Sequence, residues 1–223
     1  MKNFVFISPN FPTNYWKFCK ELRGNGLNVL GVGDCPYDEL NPELKLSLTE
    51  YYRVNSLENY DEVYRAVALF AFKYGRIDFI ESNNEYWLEL DAKLRTDFNV
   101  CSGFKEEDMA RVKHKSKMKE YYKKACVVTA RYCMATSVEE CKKFIAKVGY
   151  PVIVKPDNGV GANDTYKLSS DEELKRFFNE KPPLEYIMEE FVEAEVNSND
   201  AIINSKLEPI FETGNVTPMT IKD

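Results

Sequence analysis

Lys155 and the glycines that follow it form the segment of the chain most typical of a ligand-binding site. The β-branched run Val152–Val154 predicts a strand that delivers Lys155 to a turn holding Gly159 and Gly161. Glycine lets a backbone approach a ligand closely, and a lysine beside it supplies a point charge for phosphate. The segment therefore predicts a phosphate grip. An ordinary turn explains the same residues equally well, because neither the Gly-Lys-Ser/Thr of a P-loop nor the GxGxxG of a dinucleotide fold is present.

Three further segments carry candidate ligand-binding residues. Lys115 precedes a predicted helix, Met188–Val192 ends a predicted strand, and Glu195 lies just beyond that strand. Each has a simpler explanation: a run of lysines is typical of a solvated helix face, and Glu189 and Glu190 fit surface acids at a strand end. The basic residues of that helix face are Arg111, Lys113, Lys115, Lys117, Lys119, Lys123 and Lys124. The single histidine, His114, fits an exposed residue better than a general base.

The elements that must position these residues change character along the chain. Residues 1–110 alternate strand and helix, and a βαβ opening (strands at 2–8 and 27–31, a helix from Tyr15) predicts a parallel sheet. A helix through Val63–Tyr74, a strand at 77–81 and a helix at 86–94 complete this predicted part.

Two groups in this part bear on function or packing. Glu81–Tyr86 follows a parallel strand at the end where open α/β sheets place ligands, so Glu85 is a candidate for gripping an amine. Loop polarity alone also accounts for Glu85. Tyr51, Tyr52 and Trp87 are predicted to lie in a core or an interface.

From residue 111 the order becomes helix, strand, helix, strand, turn, strand, helix and strand, which predicts one antiparallel sheet. The first predicted helix runs from Arg111 to Ala125. Capping boxes, Ser137 with Glu140 and Ser170 with Glu173, open the two later helices. The predicted strands lie at 132–135, 152–154, 165–168 and 184–188, and a hairpin follows over 196–212 with its turn near Ser205–Lys206.

Composition narrows the class of protein. A chain of 223 residues with 44% hydrophobic and 30% charged residues is typical of a globular protein with its own core. A net charge of −6 argues against a broad nucleic-acid surface, and no apolar run approaches a membrane span. Six cysteines without a CxxC pair favour reduced thiols in the cytoplasm, and one histidine excludes sites that need two imidazoles.

Taken together, Lys115, Lys155, the glycine turn and the end of the last strand resemble the ATP-grasp superfamily. Lys115 matches the first nucleotide lysine, which precedes a helix ending in Lys-Lys-Ala-x-Val, here Lys123–Val127. Lys155 matches the second lysine, in Pro-Val-Ile-Val-Lys-Pro. The resemblance implies that both lysines contact nucleotide phosphates beneath a lid of Gly159 and Gly161. It further implies that Glu189–Val192 pairs with the adenine edge.

The resemblance also implies that Glu195 binds the ribose, although many relatives carry this acid one position later, where Val196 stands. The implied fold is α/β: an open parallel pre-ATP-grasp domain at 1–110, a small α+β nucleotide lobe at 111–190, and the start of a central lobe at 191–223. The implied function is the ATP-binding portion of a carboxylate–amine ligase that forms an acyl phosphate, as carbamoyl phosphate synthetase does. ATP and a small carboxylate are the implied ligands, and a homodimer through the N-terminal domain is common among relatives.

Relatives complete their site with an acidic pair that holds magnesium, and Glu208 and Glu212 do not match that pair. We therefore expect Mg²⁺ only in a complete enzyme, with on the order of a hundred further residues, and we expect this chain alone to be inactive. The alternative function is a nucleotide-binding or interaction module that does not turn over ATP. A dinucleotide-binding protein ranks lower, because the first turn, Ser8–Pro12, contains no glycine.

Overall fold

The structure, a computed structural model, describes residues 1–159, 164–204, 206 and 208–217. The chain divides into two compact units, Met1–Val112 and Lys113–Asp223, called here the N-terminal and C-terminal units. Among the described residues no helix is long and apolar enough to cross a membrane. All six cysteines are free thiols, as the sequence predicts.

The N-terminal unit is built on a parallel sheet, as predicted. Its strands are β1 (Asn3–Ile7), β2 (Asn28–Gly33), β3 (Glu50–Arg53) and β4 (Phe79–Glu81), in the order β3-β2-β1-β4. Every neighbouring pair is parallel. The helices up to the unit boundary are α1 (Trp16–Gly24), α2 (Pro42–Ser47), α3 (Tyr60–Tyr74), α4 (Leu88–Asp97) and α5 (Met109–Lys113).

Apolar residues cover both faces of this sheet, which is the usual state of a parallel sheet. Val5 and Ile7 of β1 belong to the cluster that contains Val67 and Phe70 of α3. Phe6, which points to the opposite face, belongs to a second cluster with Cys19 of α1. The alternation of strand and helix therefore produces a three-layer unit.

Strand β3 and helix α2 escape the sequence prediction. β3 is only four residues long and consists of two tyrosines between charged residues, so it shows little hydrophobic periodicity. The structure nevertheless confirms that Tyr51, Tyr52 and Trp87 pack against the cores. Tyr51 Oη also donates to the Cys35 carbonyl at 2.8 Å.

The C-terminal unit contains the predicted antiparallel sheet. Its strands are β5 (Tyr132–Met134), β6 (Val152–Pro156), β7 (Tyr166–Leu168) and β8 (Tyr186–Glu190), in the order β5-β8-β6-β7. Its helices are α6 (Lys115–Lys124), α7 (Val138–Val148) and α8 (Asp171–Glu180). The predicted caps are present: Ser137 Oγ accepts from Glu140 N, and Ser170 Oγ accepts from Glu173 N, both at 3.2 Å.

One face of this sheet is apolar and the other carries charge. Val152, Val154 and Met188 share a core with Cys141 of α7 and Leu174 of α8. Side chains alternate between the faces of a strand. Residues Ile153, Lys155, Ile187 and Glu189 therefore lie on the face opposite α7 and α8.

The prediction of one helix from Arg111 to Ala125 is wrong. His114 has an extended backbone, with φ −88° and ψ 117°, and separates α5 from α6. The reason is tertiary, because His114 forms an antiparallel bridge with Asn158 after β6. The prediction of a fully solvated lysine face is also wrong at two positions, since Lys113 and Lys119 are buried.

The last described element is the predicted hairpin, formed by β9 (Val196–Ile203) and β10 (Pro209–Thr217). The second strand extends five residues beyond the predicted end at 212. Ser205, in the predicted turn, lies outside the described residues. Every residue of β9 is exposed.

Candidate functional site

Lys155 and Glu189 form an ion pair on the face of the C-terminal sheet opposite α7 and α8. Lys155 Nζ lies 2.6 Å from Glu189 Oε2, and Lys119 Nζ of α6 lies 3.0 Å from Glu189 Oε1. Lys119 also donates to the Ala130 carbonyl at 2.9 Å and lies over the Tyr132 ring. The Glu189 and Lys119 side chains are only 11% and 9% exposed, whereas Lys155 keeps 27% of its side chain exposed. Lys155 is therefore the most accessible charge of the three.

Lys115 reaches the same end of β6 from a different element. It is the first residue of α6, and its Nζ donates to the Gly159 carbonyl at 3.2 Å. Its backbone N–H donates to the Asp157 carbonyl at 2.9 Å. Residues 42 and 44 positions apart in the sequence thus meet at the turn that follows β6. The second glycine of that turn, Gly161, lies outside the described residues.

Asp157 is a buried acid at this junction that sequence reasoning missed. Its carboxylate accepts from Ser116 N at 2.7 Å and from Ser116 Oγ at 2.9 Å, and lies 3.1 Å from His114 Nδ1. His114 is accordingly half-buried and paired, which corrects the expectation of an exposed histidine.

Glu190 follows Glu189 in β8 and points to the opposite face of the sheet, where Arg131 binds its carboxylate. The Arg131 backbone N–H donates to Glu190 Oε1 at 2.7 Å, and Arg131 Nε donates to Oε2 at 2.7 Å. The hydrogen bonds from the Arg131 side chain and backbone lower the pKa of Glu190. The side chain of Glu190 is thus used to join β8 to the start of β5.

The remaining predicted residues follow β8 without regular secondary structure. Phe191 and Val192 are exposed, and the Lys167 ammonium lies 4.2 Å from the centre of the Phe191 ring. Glu195 is exposed and immediately precedes β9. All five residues of 191–195 are exposed.

Glu85 lies in the N-terminal unit, where it is the exposed first residue of a short 3₁₀ turn after β4. Across the described residues of both units, no group of three or more His, Cys, Asp or Glu side chains is arranged to hold a metal ion.

The structure brings the predicted residues together in two groups. Lys155 meets Glu189 directly, and Lys115 meets Gly159 directly. The sequence missed Lys119 and Asp157, which support these groups. No local signal distinguishes Lys119 from the neighbouring lysines. Asp157 does stand two residues after Lys155, at the end of the strand, and this position could have identified it.

Comparison with known proteins gives the class. The family described as "Carbamoyl-phosphate synthase L chain, ATP binding domain" matches residues 110–193. The carbamoyl phosphate synthase large chain of Bifidobacterium longum is 24% identical over 144 residues, which cover 65% of this chain and 13% of that protein. D-alanine–D-alanine ligase B of Clostridium perfringens is 32% identical over 102 residues, covering 44% of this chain and 33% of that protein.

Solved structures share the architecture. N5-carboxyaminoimidazole synthetase from Staphylococcus aureus complexed with ADP superposes with a TM-score of 0.73 and 15% identity, covering 99% of this chain and 55% of that one. A second solved structure is the biotin carboxylase domain of Hydrogenobacter thermophilus 2-oxoglutarate carboxylase, in complex with MgADP, ADP and bicarbonate. It superposes with a TM-score of 0.70 and 18% identity, covering 89% of this chain and 46% of that one. At such identities this likeness defines the fold.

The resemblance to the ATP-grasp superfamily is therefore confirmed. Residues 110–193 match the ATP-binding domain of the carbamoyl-phosphate synthase L chain, and the solved structures share the fold. The chain spans about half the length of the solved structures it matches and a third or less of the curated relatives.

Proposed function

We propose that the C-terminal unit binds ATP and that Lys115 and Lys155 hold its phosphates. The observation that carries this proposal is the convergence of the two lysines at the end of β6, where Lys115 Nζ contacts the Gly159 carbonyl. Two cations beside a glycine turn suit a polyphosphate that must be gripped and then released. Gly159 and Gly161 would fold over the phosphates as a lid.

The nucleoside would lie along the end of β8. The backbone of Glu189–Val192 would pair with the adenine edge, and Glu195 would accept from the ribose hydroxyls. Two observations support this placement. The exposed segment that follows β8 has no regular secondary structure, and the side chain of Glu190 is bound to Arg131. The proposal therefore uses the path of the backbone more than the side chain of Glu190.

The proposed reaction is ATP-dependent ligation, of the type catalysed by carbamoyl phosphate synthetase. A carboxylate oxygen of the acceptor attacks the γ-phosphorus, the bond to the bridging oxygen breaks, and ADP leaves. A neutral amine then attacks the acyl carbon of the resulting acyl phosphate, inorganic phosphate leaves with the bonding electrons, and the nitrogen releases one proton to solvent to give the amide. Lys115 and Lys155 would stabilise the negative charge on the transferring phosphoryl group. Glu85 is proposed to grip the amine.

Mg²⁺ is proposed as the ion that would accompany the triphosphate of bound ATP. Across the described residues no group of three or more His, Cys, Asp or Glu side chains is arranged to hold a metal ion, and the roles proposed above for the reaction are those of Lys115, Lys155 and Glu85 alone. Hard cations at phosphate sites are usually held by carboxylates together with phosphate oxygens.

Calorimetric titration of ADP into the chain and its variants tests the phosphate grip. Lys155→Met is compared with Lys117→Met, because Lys117 is 53% exposed and pairs with Glu120 in the same helix. A charged hydrogen bond contributes about 1.5–3 kcal/mol, so we expect Lys155→Met to weaken ADP roughly ten- to hundred-fold. Lys117→Met should bind like the parent.

Equal affinities for the two folded variants would contradict the role of Lys155. If ADP binding depends on Lys155 but no phosphate is released from ATP with any carboxylate and amine tested, the alternative of a non-catalytic nucleotide-binding module is favoured. Circular dichroism of both variants establishes that the fold is retained.

A further inference from the structure

The start of α6 is capped by a residue from another element. The four leading N–H groups of a helix have no partner within the helix. The N-cap residue of α6 is His114, and its side chain makes no capping hydrogen bond. Asp157, which directly follows β6, supplies the acceptor instead, at 2.7 Å from Ser116 N. The cap of this helix is therefore a long-range contact.

The charge of Asp157 is compensated where it lies. The residue is 2% exposed, and its carboxylate faces the positive end of the α6 dipole, the Ser116 hydroxyl and His114. An uncompensated carboxylate two residues beyond Lys155 would repel phosphate. The capping arrangement allows an acid to remain close to the proposed phosphate grip.

The backbone and the side chain of Lys115 each donate a hydrogen bond to the segment that contains Asp157. The backbone N–H of Lys115 donates to the Asp157 carbonyl at 2.9 Å, and its ammonium donates to the Gly159 carbonyl at 3.2 Å. The bridge between His114 and Asn158 adds a third connection. Movement of the α6 start relative to the turn would break these contacts together.

We propose that Asp157 is a positioning residue that holds the Lys115 ammonium at the Gly159 carbonyl before nucleotide binds. The proposal rests on the proposed function for its meaning in nucleotide binding, whereas the positioning itself is independent of any ligand. Preorganisation of a charged group avoids the cost of ordering a long side chain when the ligand arrives.

Chemical acylation of lysines in the ligand-free chain tests the positioning. Peptide mass spectrometry after brief treatment with an acetylating N-hydroxysuccinimide ester measures Lys115, with Lys117 as internal control. In Asp157→Ala we expect Lys115 to react about five-fold faster, which corresponds to about 1 kcal/mol, and Lys117 to be unchanged. Asp157→Asn, which keeps an acceptor for Ser116 N, should restore a rate near that of the parent.

An unchanged Lys115 rate in folded Asp157→Ala would overturn the proposal. Should Asp157→Ala fail to fold, Ser116→Ala removes one contact to the carboxylate and carries the same expectation with a smaller increase. An unchanged rate in that variant counts equally against the proposal.

ADP titration then separates this inference from the proposed function. Asp157→Ala should weaken ADP in the parent background and have no further effect in Lys115→Met. An equal loss in both backgrounds would show that Asp157 does not act through Lys115 and would overturn the inference. If Lys115→Met itself leaves ADP affinity unchanged, the phosphate role of Lys115 fails, while the acylation result still decides the positioning.

Discussion

Lys155 Nζ and Glu189 Oε2 lie 2.6 Å apart, and the other oxygen of the same carboxylate contacts Lys119. Glu189 is thus shared between a nearly buried lysine and a more accessible one. Removing one partner of a buried ion pair leaves an incompletely compensated charge, which is usually destabilising. The arrangement keeps a positive excess beside the proposed phosphate grip, because two lysines face one carboxylate.

Lys119→Met is predicted to weaken ADP binding although Lys119 itself is buried. Without Lys119, both oxygens of Glu189 can turn to Lys155, and the three-residue cluster loses its positive excess. We expect roughly a five- to ten-fold loss of affinity, the effect of an interaction of about 1–1.5 kcal/mol. Calorimetric titration measures it, with Lys117→Met as the matched lysine control.

Glu189→Gln is predicted to act in the opposite direction on a simple anion. The neutral amide releases Lys155 and raises the positive charge of the cluster. Inorganic tripolyphosphate should therefore bind more tightly to Glu189→Gln than to the parent, and the difference should shrink as salt increases. Unchanged tripolyphosphate affinity in both Lys119→Met and Glu189→Gln would mean that this cluster does not set the anion affinity.

Apart from α2 and β3, the order of strands and helices could be predicted from the sequence because it depends on local patterns. The βαβ opening and the caps at Ser137 and Ser170 are read from periodicity and from side chains that bond their own neighbours. Lys119 could not be selected in this way. It stands in a run of lysines with the same local pattern, and only contacts with Glu189 and Ala130 distinguish it.

The same argument explains the break between α5 and α6. The sequence from 111 to 125 has nothing that terminates a helix at His114. The pairing of His114 with Asn158, and the cap supplied by Asp157, come from a segment more than 40 residues later. Long-range contacts of this kind determine the geometry of the candidate site, so its details could not be derived from local sequence.

Gly103→Ala is predicted to destabilise the N-terminal unit more than Gly26→Ala. Both glycines have positive φ, 78° and 79°, so both alanines carry the same backbone strain of roughly 1–2 kcal/mol. A Cβ at Gly103 would lie 2.8 Å from Arg95 Cζ, whereas nothing lies within 4 Å at Gly26. Arg95 cannot give way easily, because it bonds the Ile80 carbonyl and Glu81.

Urea unfolding followed by tryptophan fluorescence measures this difference, since the only tryptophans, Trp16 and Trp87, lie in the N-terminal unit. We expect Gly103→Ala to lose about 1–3 kcal/mol more than Gly26→Ala, the usual cost of overpacking. Equal losses would show that Arg95 moves aside without cost.

Asp91→Asn is predicted to stabilise the N-terminal unit at pH 8 and to leave it unchanged near pH 4. Asp91 is fully buried, its Oδ2 accepts from Ser82 N and Oγ, and its Oδ1 has no hydrogen-bond partner within the described residues. Burial raises the pKa of Asp91 from 3.8 to about 7, so the folded state binds more protons than the unfolded state between these values. The contribution of Asp91 to stability is therefore lost as pH rises from about 4 to about 7, by about 4 kcal/mol.

The free energy of unfolding of Asp91→Asn minus that of the parent should rise across this interval and stay constant above it. Asp61→Asn, at an exposed acid paired with Arg65, provides the matched control. A flat difference for Asp91→Asn would mean that Asp91 loses its proton at the same pH in the folded and the unfolded protein, which would contradict the raised pKa.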